Sequence, residues 1–192
     1  RLTQLVYLEL STNNFSGGFP SSIYNLSSLM FLNIFTNGFS GSLRHDFGNL
    51  LPNLQELSMG SNYFTGSIPK TLPNISTIQM LAMEFNSLTG SVPLSFGKVR
   101  NLQSLALNRN SLGSHSVGDL EFIGALTNCT KLQELDVGEN RFGGDLPTSV
   151  ANLSTNLIYL SLHTNLIYGS IPHDIGNLIS LERLWLGFNM LT

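Results

Sequence analysis

The chain has 192 residues, of which 42% are hydrophobic and only 11% are charged, and its formal net charge is −3. This length can enclose a sizeable core. Nine basic and 12 acidic residues, with no Lys/Arg cluster, argue against a nucleic-acid or anionic-membrane surface. No apolar run approaches the ~18 residues of a membrane-spanning helix. The single cysteine excludes a disulfide within the chain.

One nine-residue phrase, L-x-x-L-x-L-x-x-N, occurs eight times. In chain order the copies read LVYLELSTN, LMFLNIFTN, LQELSMGSN, IQMLAMEFN, LQSLALNRN, LQELDVGEN, LIYLSLHTN and LERLWLGFN. The asparagines that end them are Asn13, Asn37, Asn62, Asn86, Asn110, Asn140, Asn165 and Asn189. Successive asparagines lie 24 or 25 residues apart, except for one step of 30. A fixed period in this range indicates a solenoid, and the phrase is that of the leucine-rich repeat.

Each column of the repeat has a physical role. The two apolar residues of L-x-L, such as Leu105 and Leu107, are predicted to point inward from a short strand, and stacked strands then form a parallel sheet over one core. The asparagine amide is expected to satisfy backbone groups of its own and neighbouring turns. An apolar residue two positions later, Phe in four repeats, is predicted to be part of the core.

Glycine and proline follow the asparagine at fixed distances in most repeats, as in GSIPKTLPNI (66–75) and GSIPHDIGNL (169–178). This pattern resembles the plant-type extracellular leucine-rich repeat. The resemblance implies a second short strand after the glycine and a twisted superhelix. We therefore expect an α/β-type solenoid with a parallel concave sheet and a convex side of irregular, 3-10 and short helical segments.

The repeats predict one segment over 1–192, with boundaries near 2, 26, 51, 75, 99, 129, 154 and 178. It contains about seven full repeats and a partial eighth. Neither end carries the cysteine-paired cap that this kind of ectodomain uses, so we expect a piece of a longer array.

The 30-residue step falls in the fifth repeat, where about six residues are inserted. Leu120, Ile123 and Leu126 are spaced as on an amphipathic helix, with Ser116 or Asp119 as candidate caps. The insertion follows the asparagine, so it should lengthen the convex side and leave the concave sheet in register.

The insertion GDLEFIGALTNCTKLQ, together with LRHDFGNLLPNL and DVGENRFGGDLPTSVANLST, resembles subfamily XII of the plant leucine-rich-repeat receptor kinases. The resemblance implies an extracellular segment of a plasma-membrane receptor that binds a microbial peptide or protein and starts immune signalling, with bacterial elongation factor Tu as one candidate ligand. It also implies a membrane span, a serine/threonine kinase using ATP and Mg²⁺, and a SERK-type co-receptor contact, all outside this chain.

Candidate ligand contacts are the outward residues of the predicted strands. Aromatic residues gather at both ends, with Arg and His at the C-terminal one, and acidic residues lie between them. Exposed aromatics with an arginine are typical of binding hot spots, and the acidic middle favours a basic ligand segment. The candidates are Tyr7, Phe31, Phe35, Met80, Phe85, Arg109, Glu134, Asp136, Glu139, Tyr159, His163, Arg183, Trp185 and Phe188. Alternatively, the aromatics merely cover one another across neighbouring strands.

N-glycosylation motifs support an extracellular array. They occur at Asn14, Asn25, Asn74, Asn128 and Asn152, the last four at the ends of repeats, away from the predicted concave face. Cys129 takes the place of Leu or Ile in other repeats, so it should be a small buried hydrophobe.

An enzyme is the weaker interpretation. His45-Asp46 and His173-Asp174 resemble metal-binding pairs, but they share one repeat position five repeats apart, and no further ligand is near in sequence. No nucleophile and base can be assembled, so we expect neither catalysis, a metal site nor a cofactor in this chain. Three alternatives remain: a kinase-less receptor-like protein, a secreted inhibitor of cell-wall-degrading enzymes, and an intracellular repeat protein.

Overall fold

The structure, a computed structural model, describes residues 2–192; Arg1, the first residue of the predicted segment, lies outside it. Eight three-residue strands form the concave sheet, with every neighbouring pair parallel and in register. They are β1 (Tyr7–Glu9), β3 (Phe31–Asn33), β5 (Glu56–Ser58), β7 (Met80–Ala82), β9 (Ser104–Ala106), β11 (Glu134–Asp136), β13 (Tyr159–Ser161) and β15 (Arg183–Trp185). The predicted parallel concave sheet is confirmed.

A second strand follows in every repeat. These strands are β2 (Ser16–Gly18), β4 (Gly38–Ser42), β6 (Tyr63–Ser67), β8 (Ser87–Gly90), β10 (Ser111–Leu112), β12 (Gly143–Asp145), β14 (Leu166–Gly169) and β16 (Met190–Leu191). The prediction of a second strand is correct, but its position after the glycine is wrong. In Gly38–Ser42, for example, the strand begins one residue after the asparagine and contains Gly41 at φ 81°. Glycine adopts this left-handed conformation at little cost, so the chain bends within the strand.

The convex side consists of single helical turns, as predicted. Two are α-helical, α1 (Phe47–Leu50) and α2 (Glu121–Leu126). The 3-10 turns are Ile23–Asn25, Leu72–Asn74, Leu94–Lys98, Thr148–Asn152 and His173–Asn177. Across residues 2–192, none of the helices combines the length and the apolar character needed to cross a membrane.

One continuous core fills the space between the sheets and the convex turns. The phenylalanine column contributes to the core as predicted at Phe39 and Phe64, which are buried, with ring centroids 6.4 Å apart and planes 12° apart. The prediction is wrong for Phe15, which stacks on Phe39 but is 45% exposed. Cys129 is fully buried, which confirms its reading as a small hydrophobe. Burial raises the pKa of its thiol to about 11, so the thiolate needed for reactivity is scarce at neutral pH.

The asparagine column links each repeat to the one before it. Nδ2 of Asn62 donates to the carbonyls of Met59 and Gly60 in its own turn and to the carbonyl of Ile34 in the preceding repeat. Its Oδ1 accepts from the backbone N–H of Phe39, also in the preceding repeat, at 3.0 Å. The same backward pair of bonds is made by Asn37, Asn86, Asn110, Asn140, Asn165 and Asn189. The predicted role in satisfying backbone groups is confirmed.

The insertion leaves the concave sheet intact and divides the second one. Ser104 on β9 still pairs with Glu134 on β11, as predicted. The second strands, in contrast, form a five-stranded sheet that ends at β10 and a three-stranded sheet that starts at β12. The inserted residues between β10 and α2 therefore occupy the break.

The predicted helix is present as α2, with Phe122, Ile123 and Leu126 buried, but its predicted cap is wrong. Leu120 is the N-cap residue and makes no side-chain cap bond. The Asp119 carboxylate instead accepts bonds from the backbone N–H groups of Ser114, Ser116 and Gly143. Its acceptors are used by the inserted loop and by Gly143 of the following repeat rather than by the helix.

Candidate ligand-binding face

The candidate site is the solvent side of the concave sheet. Inward residues such as Leu57 and Leu105 are fully buried, so the residues between them must point outward. Beyond each strand, the residue before the asparagine has φ between 50° and 56°. These residues are Thr12, Thr36, Ser61, Phe85, Arg109, Glu139, Thr164 and Phe188. Sequence reasoning missed this left-handed column, because Phe, Arg, Glu and Thr rarely adopt it.

At the N-terminal end, Tyr7 and Phe31 lie on the neighbouring strands β1 and β3, and Phe35 lies two residues beyond the end of β3. Tyr7 is exposed, whereas Phe31 and Phe35 are half-buried. The ring centroids of Tyr7 and Phe31 are 5.7 Å apart. The rings partly cover one another, and Tyr7 offers the largest free surface of the three.

In the middle of the face, Phe85, Arg109 and Glu139 form a ladder across three repeats. The Arg109 guanidinium lies 4.6 Å from the centre of the Phe85 ring, and its Nε is 2.6 Å from Oε1 of Glu139. Phe85 keeps 41% of its surface exposed, as does Met80 on β7. The left-handed column thus places an aromatic face and an ion pair at the edge of the concave sheet.

The predicted acidic residues do lie near each other, but they differ in how they are bonded. Oε2 of Glu134 accepts from the Ser104 hydroxyl at 2.8 Å. Asp136 accepts from the N–H of Gly138 at 3.0 Å and from the Tyr159 hydroxyl at 3.3 Å.

Glu84, which is not among the predicted ligand contacts, shares this acidic region. Its Oε2 is buried and has no hydrogen-bond partner among the described residues. Burial raises the pKa of this carboxyl, and the negative charges of Glu134 and Asp136 add to the effect. Gly60 holds the equivalent position one repeat earlier. A side chain at Gly60 would occupy the space of the Glu84 carboxylate, so this glycine is the feature of the sequence that could have indicated the burial of Glu84.

The C-terminal cluster is held together by Trp185. Its indole meets Tyr159 edge to face, with centroids 5.6 Å apart and planes at 90°, and His163 at 5.7 Å and 70°. The Arg183 guanidinium lies 4.6 Å from the centre of the Tyr159 ring. Trp185 and Phe188 are 52% and 87% exposed, and Arg183 is also exposed.

Tyr159 requires a correction. It was expected to present an exposed aromatic surface, but it is only 8% exposed, because Arg183 and Trp185 cover its ring. The alternative that outward aromatics cover one another therefore describes Tyr159. Trp185, Phe188 and Arg183 belong to the last repeat, and β15 is an edge strand, so no further strand covers them in the way that β15 covers Tyr159.

The glycosylation motifs lie away from this face. Asn25, Asn74 and Asn152 end 3-10 turns on the convex side, and Asn128 follows α2. All four are exposed, as is Asn14. The His-Asp pairs are also on the convex side, where Asp46 accepts two bonds from the Arg44 guanidinium at 2.9 and 2.7 Å.

Comparisons with known proteins agree with this architecture. A family model described as Leucine Rich Repeat matches residues 4–26, 53–75, 131–153 and 156–178. The LRR receptor-like serine/threonine-protein kinase EFR of Arabidopsis thaliana is 59% identical over 143 residues, which make up 74% of this chain and 14% of that protein. The chain thus spans about a seventh of the length of this curated relative.

Two solved receptor ectodomains of Arabidopsis thaliana share the fold. The ectodomain of the receptor kinase GASSHO1/SCHENGEN3, in complex with CASPARIAN STRIP INTEGRITY FACTOR 2, matches with a TM-score of 0.89 and 34% identity over 97% of this chain and 22% of its own. The receptor kinase HAESA, in complex with the peptide hormone IDA and the co-receptor SERK1, matches with a TM-score of 0.87 and 30% identity over 97% of this chain and 30% of its own. The chain belongs to the leucine-rich-repeat family and resembles the ectodomains of plant leucine-rich-repeat receptor kinases.

Proposed function

We propose that this segment is part of the extracellular recognition region of a plant receptor kinase, and that its concave face binds a microbial peptide or protein to start immune signalling. The observation that carries the proposal is the concave face itself. Eight parallel strands present outward side chains to solvent, and Met80 and Phe85, in the interior of the array, each remain 41% exposed there. Such exposed aromatic surface is typical of interaction sites.

The dimensions of the face suit an extended peptide. Strands ~4.8 Å apart make the eight-stranded face about 34 Å across, and a peptide rising ~3.3 Å per residue crosses it with roughly ten residues. Trp185 and Arg183 would anchor one end, where Tyr159 and His163 hold the indole in place. The peptide complexes of the two related ectodomains support this mode of binding.

The segment itself is a non-catalytic repeat array. The kinase activity, with its ATP and Mg²⁺, belongs in our proposal to a domain outside this chain, on the other side of the plasma membrane. A SERK-type co-receptor would contact repeats beyond residue 192. Glycans at Asn25, Asn74, Asn128 and Asn152 would project from the convex side and leave the concave sheet open.

Direct binding to the complete secreted ectodomain tests the proposal. The probe is the acetylated N-terminal peptide of bacterial elongation factor Tu, with a scrambled peptide as the control ligand. We expect saturable binding that is lost in Trp185→Ala and kept in Tyr168→Ala, which removes an aromatic from the second sheet. Binding that both variants retain would move the contact away from this cluster.

Absence of binding to a monodisperse, glycosylated ectodomain would reject this ligand and leave the fold assignment unchanged. A parent gene without a kinase sequence would instead favour the receptor-like protein. Secreted protein that carries no glycans would argue against an extracellular role.

A further inference from the structure

A cleft crosses the middle of the concave face. It encloses about 190 Å³ and runs over four neighbouring strands, β5, β7, β9 and β11. Glu56 lies at one end and Glu134 at the other, with Met80 and Ser104 between them. One side is a row of glutamines, Gln79, Gln103 and Gln133. The cleft thus has an acid at each end, a thioether in its floor and amides along its side.

The carboxylate of Glu56 has no partner among the described residues, and that of Glu134 accepts a single hydrogen bond. Within residues 2–192, the Glu56 side chain makes no hydrogen bond or ion pair, and Glu134 accepts one hydroxyl bond, from Ser104. Arg109, at the edge of the face, is already paired with Glu139, and Nζ of Lys131 donates to Oδ1 of Asn101. Glu84 and Asp136 add negative charge beside the cleft. Among residues 2–192, no Lys or Arg side chain forms an ion pair with Glu56, Glu84, Glu134 or Asp136.

The row of glutamines and Met80 suit a long basic side chain. The Gln103 amide donates to Gln79 at 3.2 Å, which leaves amide oxygens in the row to accept from an incoming ammonium or guanidinium. Met80 is exposed and can pack against an aliphatic stem. Lysine and arginine are the side chains that combine such a stem with a charged end.

The distance between the two carboxylates sets the spacing. Glu56 and Glu134 occupy equivalent positions three strands apart, which is about 14 Å at ~4.8 Å per strand. In an extended peptide, residues i and i+4 lie on the same face and about 13 Å apart. Residues i and i+3 point to opposite faces.

From this geometry, and building on the proposed peptide-binding function, we propose that the cleft binds two basic residues spaced i, i+4 in an extended peptide that crosses the repeats. One basic side chain reaches Glu56 and the other reaches Glu134. The cleft is thereby a determinant of ligand specificity, separate from the aromatic cluster around Trp185.

The test uses the full-length secreted ectodomain that contains this segment and three synthetic twelve-residue peptides of Ser, Thr and Val. One carries two lysines at i and i+4, one carries them at i and i+3, and one carries two glutamates at i and i+4. Fluorescence anisotropy should show that the first binds about tenfold more tightly than the second, which has the same charge, while the third does not bind.

Matched variants then identify the carboxylates. Glu56→Gln and Glu134→Gln should each weaken binding of the first peptide about tenfold, since each removes a charged hydrogen-bond partner. Glu121→Gln makes the same charge change on the exposed surface of α2 and should leave binding unchanged. Glu134→Gln keeps a carbonyl acceptor for Ser104, so it should not disturb the strand.

Equal binding of both lysine peptides, loss of binding in Glu121→Gln, or no binding of any peptide would each overturn the cleft proposal. If the elongation factor Tu peptide loses binding in Trp185→Ala but not in Glu56→Gln or Glu134→Gln, the cleft proposal is wrong and the proposed function stands. If the lysine pair binds through both glutamates and the elongation factor Tu peptide does not bind, the cleft stands and that ligand is wrong.

Discussion

The carboxylate of Asp119 accepts a hydrogen bond of 3.1 Å from the backbone N–H of Gly143, which lies 24 positions further along the chain. The same carboxylate accepts from the N–H groups of Ser114 and Ser116 at 2.9 and 3.0 Å. Gly143 is buried at the start of β12, beside the break in the second sheet. Asp119 therefore ties the inserted loop to the next repeat at the point where the strand ladder is interrupted.

We expect Asp119→Ala to loosen this junction. The substitution leaves three backbone donors without their partner, one of them buried, and should lower the free energy of unfolding by about 2–3 kcal/mol. Hydrogen exchange should accelerate at the amides of Ser116 and Gly143. Asp174→Ala, which removes an exposed carboxylate in another repeat, should change neither quantity. Unchanged exchange at Gly143 in Asp119→Ala would contradict the expectation.

The same contact should give the junction an acid sensitivity. Burial would raise the pKa of Asp119, but the hydrogen bonds from Ser114, Ser116 and Gly143 outweigh it and hold the pKa below its ordinary value. A lowered pKa in the folded state contributes stability above the unfolded-state pKa and loses it as the pH falls through the folded-state pKa. Once exchange rates are corrected for the intrinsic pH dependence of amide exchange, the protection of the Gly143 amide should therefore decrease below about pH 4, and this decrease should be missing in Asp119→Ala.

Replacing asparagine by alanine should lower the free energy of unfolding by different amounts at different positions of the asparagine column. Asn62 is 6% exposed and serves three carbonyls and the N–H of Phe39, so Asn62→Ala should cost about 2–3 kcal/mol of unfolding free energy. Asn13 is exposed and bonds only to the carbonyls of Leu10 and Ser11. Its replacement by alanine should cost less than about 1 kcal/mol. Urea denaturation of the two variants compares them, and equal losses would reject the burial argument.

Gly48 in α1 is required by a close approach between repeats. A Cβ at this position would overlap the backbone carbonyl of Thr71, which a side-chain movement cannot relieve. Gly48→Ala should lower the free energy of unfolding by about 2–4 kcal/mol. Gly124→Ala in α2 is the matched control, because its nearest neighbour would be the Ser149 hydroxyl at 3.7 Å. That variant should be neutral or slightly more stable, and thermal unfolding distinguishes the two outcomes.

Glu84 should be unfavourable to stability at neutral pH. Burial raises its pKa, so the folded state disfavours the charged form, and this cost disappears as the pH falls through the raised pKa toward the unfolded-state value. Glu84→Gln should raise the unfolding temperature at pH 7, and the gain should shrink to nothing near pH 4. Glu182→Gln, an exposed control, should show no such trend. A gain of equal size at both pH values would refute the role of the charge.

Most of the architecture could be predicted from the sequence, because repetition averages out local uncertainty. Eight copies of L-x-L located the concave strands, and the position of the insertion after Asn110 correctly indicated that it leaves the concave sheet in register. The capping of α2 was wrong because Asp119 has a competing set of donors. One of these, Gly143, belongs to the following repeat and is not adjacent in the sequence.

The candidate site was less predictable for the same reason. Column positions identified which residues point outward, but not which are covered by their neighbours. Tyr159 lies under Arg183 and Trp185, which are 24 and 26 positions later. The burial of the Glu84 carboxylate depends on the missing side chain of Gly60. Such effects depend on pairs of neighbouring repeats, and the repeat pattern itself carries no information about them.

The asparagine bonds give the array a direction. In each of the seven neighbouring pairs, the later repeat provides both the acceptor and the donor that complete the earlier turn, as Asn86 does for Phe64 and Met59. Removing repeats from the N-terminal side frees an amide side chain that water can solvate. Removing them from the C-terminal side strands a backbone N–H and a carbonyl. Any structure that closes such an array at its C-terminal end must therefore supply a donor and an acceptor at the last turn, a requirement that the first turn does not have.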